Sequence, residues 1–336
     1  MARKNNKGGG KRQRAQQRAQ YDELDKYPVL PPHAFARIVR DKQTLNIIYQ
    51  IIEPPMTKKE QEQRDEILDI FIRSLTANIE EIDANPEAYI RTAMDKVIKA
   101  YGMKINKKSK SKIFYYLRRD LIGYGEMDVL MNDINVEDIS LDGTNVPIFA
   151  YHRKFESVET TCVWKTDHEL ESYVIKLAQR CGKHISVASP LLDATLMDGS
   201  RIVMKLGREV STRGSAFCIR RFKDDPFSPA DIVAFRTMSS LMVAYLWIAF
   251  QNEVPMLFVG GTASGKTTTL NAMCIFIPWQ MKIVSIESTR EVNIPQPNWV
   301  PGLTRQGFGG ESTDGVIGEF ELLKAALRER PEYIIV

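Results

Sequence analysis

Cysteine and histidine are scarce in this chain: 336 residues hold four of each. Cys162, Cys181, Cys218 and Cys274 lie far apart and form no C-x-x-C pair, which excludes a disulfide framework and suits small core residues in a reducing compartment. Long apolar runs are missing as well. The longest, 241–250, has ten residues, about half of the ~20 that a membrane-spanning helix needs. No signal-peptide pattern opens the chain, so the sequence reads as cytoplasmic. Acid is absent from residues 1–20, which carry seven basic residues (Arg3, Lys4, Lys7, Lys11, Arg12, Arg14, Arg18). Of the net charge of +4, that tail supplies +7 and the rest of the chain −3. A mildly acidic body lacks the electrostatic footprint of a nucleic-acid-binding protein, so no specific nucleic acid is expected as a partner.

What is present begins with bulk. At 43% apolar and 26% charged, the chain can fill two globular domains with cores of their own. Residues 1–20 have no apolar periodicity to repay the entropy of ordering and read as a disordered basic tail. Such a tail is either simply solvated or drawn to an anionic membrane leaflet, at ~1 kcal/mol per basic residue near the surface. Residues 21–105 read as an extended and helical region: Pro28, Pro31, Pro32, Pro54 and Pro55 punctuate it, and Ile67, Leu68, Phe71, Leu75 and Ile79 recur at helix spacing. Residues 106–224 read as an α/β domain, with short β-like runs, turn signals such as Asp142-Gly143, and an amphipathic helix over Leu170, Tyr173, Val174, Leu177, Ala178 and Cys181 that stops at Gly182. Residues 225–232 form a proline-bearing hinge in which Ser228 can cap the next helix and Pro229 can open it. Residues 233–336 form the last domain.

That domain is organised around Gly260, Gly261, Thr262, Ala263, Ser264, Gly265, Lys266, Thr267 and Thr268, which follow the apolar run Met256, Leu257, Phe258, Val259. The pattern spells strand, phosphate loop, helix. Glycines let the backbone turn tightly and aim N–H groups at an anion, and the helix adds its positive N-terminal end. Lys266 is then placed for the β- and γ-phosphates of ATP and the Thr267 hydroxyl for Mg²⁺. A strand over 282–286 ends at Glu287, at the carboxyl end where ligands of α/β sheets bind. Pro295, Pro297, Trp299 and Pro301 read as a loop, a helix is expected over about 318–330, and Tyr333, Ile334, Ile335 and Val336 read as a third buried strand. A chain that stops within a core strand predicts a fragment with an incomplete P-loop domain.

Taken with the blocks at 118–125, 135–143, 198–201, 283–287 and 330–336, the phosphate loop makes the chain from about residue 112 onward similar to the type II/type IV secretion ATPase superfamily. The nearest flavour is that of archaellum motor and archaeal type IV pilus assembly ATPases. The resemblance implies a RecA-like C-terminal domain behind an α/β N-terminal domain, in a cytoplasmic homo-oligomer, a hexamer, at the inner face of the membrane. It also implies ATP hydrolysis beneath a polytopic membrane platform protein, for filament assembly or secretion. Residue by residue, it assigns 260–268 to nucleotide, Thr267 to metal, Glu287 to the attacking water, and Arg201, Arg213 and Arg220 to arginine fingers. Ser288 stands where the family has a second acid after Glu287. A nucleotide-binding subunit that does not hydrolyse is therefore the alternative reading; a DNA-translocating motor shares the phosphate loop but would want a basic, aromatic channel that the body of net charge −3 does not advertise.

Overall fold

The computed structural model describes residues 20–73, 85–222, 226–261, 264–304 and 317–336. The tail before residue 20, the helix positions Leu75 and Ile79, residue 225 of the hinge, and Thr262 and Ala263 of the phosphate loop lie outside these residues. The chain divides into two compact units, Met1–Lys176 with Met204–Arg220, and Leu177–Val203 with Arg221–Val336. Residues 177–203 thus pack with the phosphate-loop half although they precede the hinge in sequence.

In the first unit the region read as extended and helical opens instead with three antiparallel strands, β1 (Tyr21–Leu30), β2 (Ala34–Asp41) and β3 (Ile47–Ile52). Ala34, Ala36 and Ile38 alternate inward along β2, the two-residue period that ties a strand to one face of a sheet. β3 pairs parallel with β6 (Glu156–Val163), which continues antiparallel into β5 (Pro147–His152), β4 (Val136–Leu141) and β9 (Ala216–Arg220). A buried polar knot secures the first strands. The hydroxyls of Tyr27 and Tyr49 each donate to Asp133 Oδ2 at 2.6 Å, and His152 Nε2 lies 3.0 Å from the Tyr27 hydroxyl. The Lys154 N–H donates to His152 Nδ1, so the ring proton sits on Nε2 and the knot is satisfied. Burial, reinforced by Asp133, pushes both phenols up, and burial pulls His152 below its ordinary range.

Beside that sheet the expected helical subdomain forms from α1 (Lys58–Arg73), α2 (Pro86–Ala100) and α3 (Lys107–Leu121), packed through Ile67, Ile90, Met94, Val97, Ile113 and Leu117. Asn85 caps α2 and Pro86 opens it. Glu60 of α1 accepts from Ser109 Oγ at 2.6 Å and from Lys112 Nζ at 2.7 Å on α3, which fixes how the two helices meet. The short α4 (Asp128–Asn132) and then α5 (Asp167–Arg180) complete the helices of the α/β region. α5 stops at Gly182, whose φ of +65° is costly for any side chain.

In the second unit β7 (Leu191–Thr195) neighbours the start of β8 (Arg201–Lys205). Past the hinge, α6 (Pro229–Ala234) opens on a capping box in which Ser228 Oγ accepts from Asp231 N and Asp231 Oδ2 from Ser228 N. α7 (Ser240–Gln251) is apolar almost all round. It buries Val243 and Phe250, while Leu241, Tyr245 and Ile248 stay exposed. α8 (Lys266–Cys274), β10 (Ile283–Glu287), β11 (Trp299–Leu303), α9 (Glu319–Ala326) and β12 (Tyr333–Ile335) follow. β10 is flanked in parallel by β11 and β12, a small parallel sheet of the expected α/β class. No helix among the described residues is long and apolar enough to cross a membrane.

Two elements of this unit differ from the sequence reading. The proline-rich stretch taken for a loop supplies β11: Pro301 stands opposite Ser285, tolerated because β11 is an edge strand whose outer side needs no donor. Conversely, the apolar run 256–259 forms no strand. Leu257 and Val259 are 87% and 83% exposed, and a groove of about 460 Å³ is lined by Met256 and Phe258 together with Tyr333, Ile334 and Ile335 of β12. A run with strand composition becomes a strand only when a partner edge lies within hydrogen-bonding reach, and among the described residues β12 pairs with β10 alone.

Candidate functional site

The phosphate loop delivers the chain straight into α8. Gly265 caps that helix with φ +86°, a left-handed conformation that any Cβ would strain, so glycine is needed here for backbone reasons. A Cβ at Gly260 would lie 2.5 Å from Ser264 Oγ, so that hydroxyl would have to rotate away from its present position. Ser264 Oγ donates to Gly261 O at 2.8 Å and closes the turn. Lys266 and Thr267 are the first two residues of α8, where backbone N–H groups are not used within the helix. The Lys266 ammonium bends back over the loop and donates to Gly260 O (2.9 Å) and Gly261 O (2.6 Å). Both partners are neutral carbonyls, so neither gives the ammonium a counter-charge.

The acidic segment after β10 is built around Glu287. Its Oε2 accepts from Glu291 N at 2.6 Å and from Val292 N at 2.8 Å, so this carboxylate shapes the turn that follows the strand. That turn presents a residue absent from the sequence-derived assignment: Glu291, whose Oε2 accepts from the Thr267 hydroxyl at 2.9 Å. Asn271, one turn further along α8, donates from Nδ2 to Glu291 O at 2.9 Å and accepts from Asn293 N at 3.2 Å. Glu291 is thus held at its N–H, its carbonyl and its carboxylate. A second acid four residues beyond the end of the strand was visible in sequence; nothing there says which of the two acids reaches α8.

The three arginines divide between the units. Arg201 lies in the phosphate-loop unit and forms a side-on pair with Asp193, Nε to Oδ1 at 3.2 Å and Nη2 to Oδ2 at 2.6 Å. That pair raises the Arg201 pKa, and the Glu291 carboxylate adds to the rise. Arg213 and Arg220 belong to the first unit. The Arg213 carbonyl accepts from Thr144 N and sits against Gly143, where a Cβ would meet it at 2.4 Å, so its backbone closes the Asp142-Gly143 turn. Arg220 Nε lies 3.5 Å from Asp138 Oδ1 on the neighbouring strand, in an exposed pair of the kind that contributes little to stability. Thr268 continues α8.

Residues 151–336 match the profile of the family described as type II/IV secretion system protein. The uncharacterized protein MJ0900 of Methanocaldococcus jannaschii is 36% identical over 315 residues, covering 93% of this chain and 55% of that protein. The type IV secretion system protein VirB11 of Bartonella henselae is 28% identical over 216 residues, 54% of this chain and 59% of that protein. Among solved structures, the VirB11 ATPase from the Brucella suis type IV secretion system, in complex with sulphate, is similar at 21% identity over 61% of this chain and 64% of that one, with a TM-score of 0.27. The pilus retraction motor PilT with bound ADP is similar at 17% identity over 60% of this chain and 55% of that one, with a TM-score of 0.37. The chain spans little more than half the length of these two curated relatives.

Proposed function

We propose, from the premise that this chain belongs to the type II/IV secretion system protein family, that its second unit binds Mg²⁺-ATP in the loop 260–268 and that the whole protein is a motor ATPase. In this reading it works as a homo-oligomer, a hexamer, at the cytoplasmic face of the membrane. Beneath a polytopic platform protein it drives assembly of a type IV pilus or archaellum, or secretion. One observation carries the nucleotide reading: left-handed Gly265 feeds directly into a helix whose first two residues are Lys266 and Thr267, with the Lys266 ammonium folded over the loop. A glycine-rich turn with no anion to hold has no need of a cation drawn back across it.

The residues fit a hard divalent cation held mostly by phosphate. Among the described residues no group of three or more His, Cys, Asp or Glu could hold a metal by itself, and Mg²⁺ in phosphate sites characteristically takes one or two protein oxygens and keeps the rest for phosphate and water. Thr267 offers that oxygen. Its proton goes to Glu291, which leaves its lone pairs for the ion. The bound ion would neutralise charge on the β- and γ-phosphates. Lys266 would exchange Gly260 O and Gly261 O for phosphate oxygens, and the first turn of α8 would add its N–H groups. Both bonds to the Glu287 carboxylate fall on Oε2, so Oε1 is the oxygen through which it would orient water. The test is calorimetric titration of ATP into the protein and into Lys266→Ala. A folded variant that binds ATP with unchanged affinity refutes the nucleotide site.

The alternative of binding without hydrolysis has its own support. Ser288 replaces the second acid, and Glu287 is already engaged by two backbone N–H groups. Single-turnover assays with radiolabelled ATP separate the two readings: a bound nucleotide that stays triphosphate favours the binding-only subunit.

A further inference from the structure

Asp193 governs the one arginine of the phosphate-loop unit that the family resemblance brings forward. A guanidinium held side-on through Nε and Nη2 has its plane fixed and its Nη1 edge outside the pair. The hairpin that carries this pair is itself well braced. Lys183 Nζ donates to Asp193 O at 2.8 Å. Leu196 N donates to Ser200 O at 2.8 Å across a turn in which Gly199 has φ +84°. Ser200 donates from both N and Oγ to the Asp198 carboxylate.

The same turn is tied to the acidic segment of the nucleotide site through an aromatic bridge. Phe222 N–H donates to Ser200 Oγ at 3.1 Å, and the Phe222 ring lies so close beneath Gly199 that a Cβ there would meet it at 3.2 Å. The Arg290 guanidinium stands 5.3 Å from that ring and 5.9 Å from the ring of Trp299 on β11, in cation–π range of both. The next residue is Glu291, which accepts the hydrogen bond of the Thr267 hydroxyl. A continuous set of contacts inside one compact unit therefore runs from the Asp193–Arg201 pair to the second residue of the phosphate-loop helix. Glu291 is also among the charges that raise the Arg201 pKa, after Asp193.

We propose that Asp193 is a positioning residue: it holds the Arg201 guanidinium side-on so that the Nη1 edge serves the terminal phosphate of ATP, making the Asp193–Arg201 pair the device that distinguishes ATP from ADP. This rests on the nucleotide reading above. A loose arginine must give up rotamer freedom on binding, whereas a clamped one has already lost it, so the carboxylate raises the selectivity of its partner without touching the ligand. Asp193 does not compete with the phosphate, because the pair occupies the Nε edge and leaves the other free.

The experiment measures dissociation constants of Mg²⁺-ATPγS and Mg²⁺-ADP by calorimetry for the full chain, Arg201→Ala, Asp193→Ala, the double variant and Asp193→Glu, with thermal melts to check folding. The ratio of the ADP to the ATPγS constant is expected to fall ~10-fold in either single alanine variant, the size of one charge-assisted hydrogen bond. It is expected to fall no further in the double variant and to recover in part with Asp193→Glu, which keeps the charge. An unchanged ratio in Asp193→Ala, or equal weakening of both nucleotides, overturns the positioning role and leaves the pair a structural ion pair, with the nucleotide site intact. Wild-type protein that binds neither nucleotide fails the nucleotide reading itself and takes this proposal with it.

Discussion

Replacing Glu291 by alanine tests how the phosphate loop prepares its hydroxyl for a cation. The Thr267 hydroxyl has one proton and two lone pairs, and its proton lies toward Glu291 Oε2 at 2.9 Å, which fixes the rotor and turns the lone pairs away from the carboxylate. A hydrogen bond to a charged group contributes ~1.5–3 kcal/mol net. Both partners sit near solvent, so the lower end applies, and ~1.4 kcal/mol is tenfold in affinity. The backbone of residue 291 is held by Asn271 and by Glu287 whatever its side chain, so Glu291→Ala should leave the turn in place. The expected result is a loss of ~10-fold in ATP affinity with Mg²⁺ present and little change in EDTA, as for other residues that orient a metal ligand. Thr267→Val should lose at least as much, and the double variant no more than Thr267→Val alone. Glu291→Gln should fall between, because its amide oxygen still accepts. Equal losses with and without Mg²⁺, or additive losses in the double variant, would show that the carboxylate does not act through the hydroxyl.

Four further outcomes are expected. Lys266→Ala should lower ATP affinity sharply in calorimetry, since Lys266 alone contributes a side-chain cation within the loop. Glu287→Gln should reduce steady-state turnover far more than ATP affinity; turnover surviving within a few-fold moves the water-orienting role elsewhere, Glu291 being the next candidate. Arg220→Ala should leave ATP binding largely intact and lower turnover by orders of magnitude in the oligomer, and activity should rise steeply with protein concentration. Full activity in a strictly monomeric, arginine-insensitive preparation defeats that role. Finally, burial holds His152 below its ordinary value of 6.5, while Lys154 and Arg153 reinforce and Asp133 and Asp25 oppose that shift. The folded state then binds the proton less readily than the unfolded chain. Urea midpoints of the first unit should hold above about pH 6.5 and fall as pH drops through it, and His152→Gln should flatten the fall.

Local chemistry was legible in the sequence wherever one short segment decides the outcome. The Ser228–Asp231 capping box with Pro229, the stop of α5 at Gly182, the Asp142-Gly143 turn and the glycine at 265 all follow from steric or hydrogen-bonding rules that act within a few residues. Pairing was not legible. The run 256–259 has strand composition and stays out of the ladder, whereas the proline-bearing 299–303 joins it, because a strand depends on which backbone edge lies alongside. The same limit hid β1–β3 in a region read as extended and helical. Their place is set by Tyr27 and Tyr49 meeting Asp133 and His152 more than eighty residues away.

The acidic segment shows why site residues are harder to read than loops. Glu287 sits at the end of a strand, the position at which sequence logic looks for a ligand-facing acid, and the structure gives its Oε2 a scaffolding task as well, holding Glu291 N and Val292 N. Without that bond the backbone N–H of Glu291 would have to find another partner, and the reach of its carboxylate to Thr267 would no longer be set by β10. The two acids are therefore not interchangeable copies: one builds the turn and the other meets the helix. Substituting Glu287 should consequently disturb Thr267 through Glu291, whereas substituting Glu291 should leave Glu287 where it is. A double-mutant cycle between Glu287→Ala, which removes the acceptor of both N–H groups, and Glu291→Ala on Mg²⁺-dependent ATP affinity should therefore show coupling, with most of any Glu287→Ala effect disappearing once Glu291 is alanine. Strict additivity would mean that Glu287 reaches the nucleotide by a route of its own.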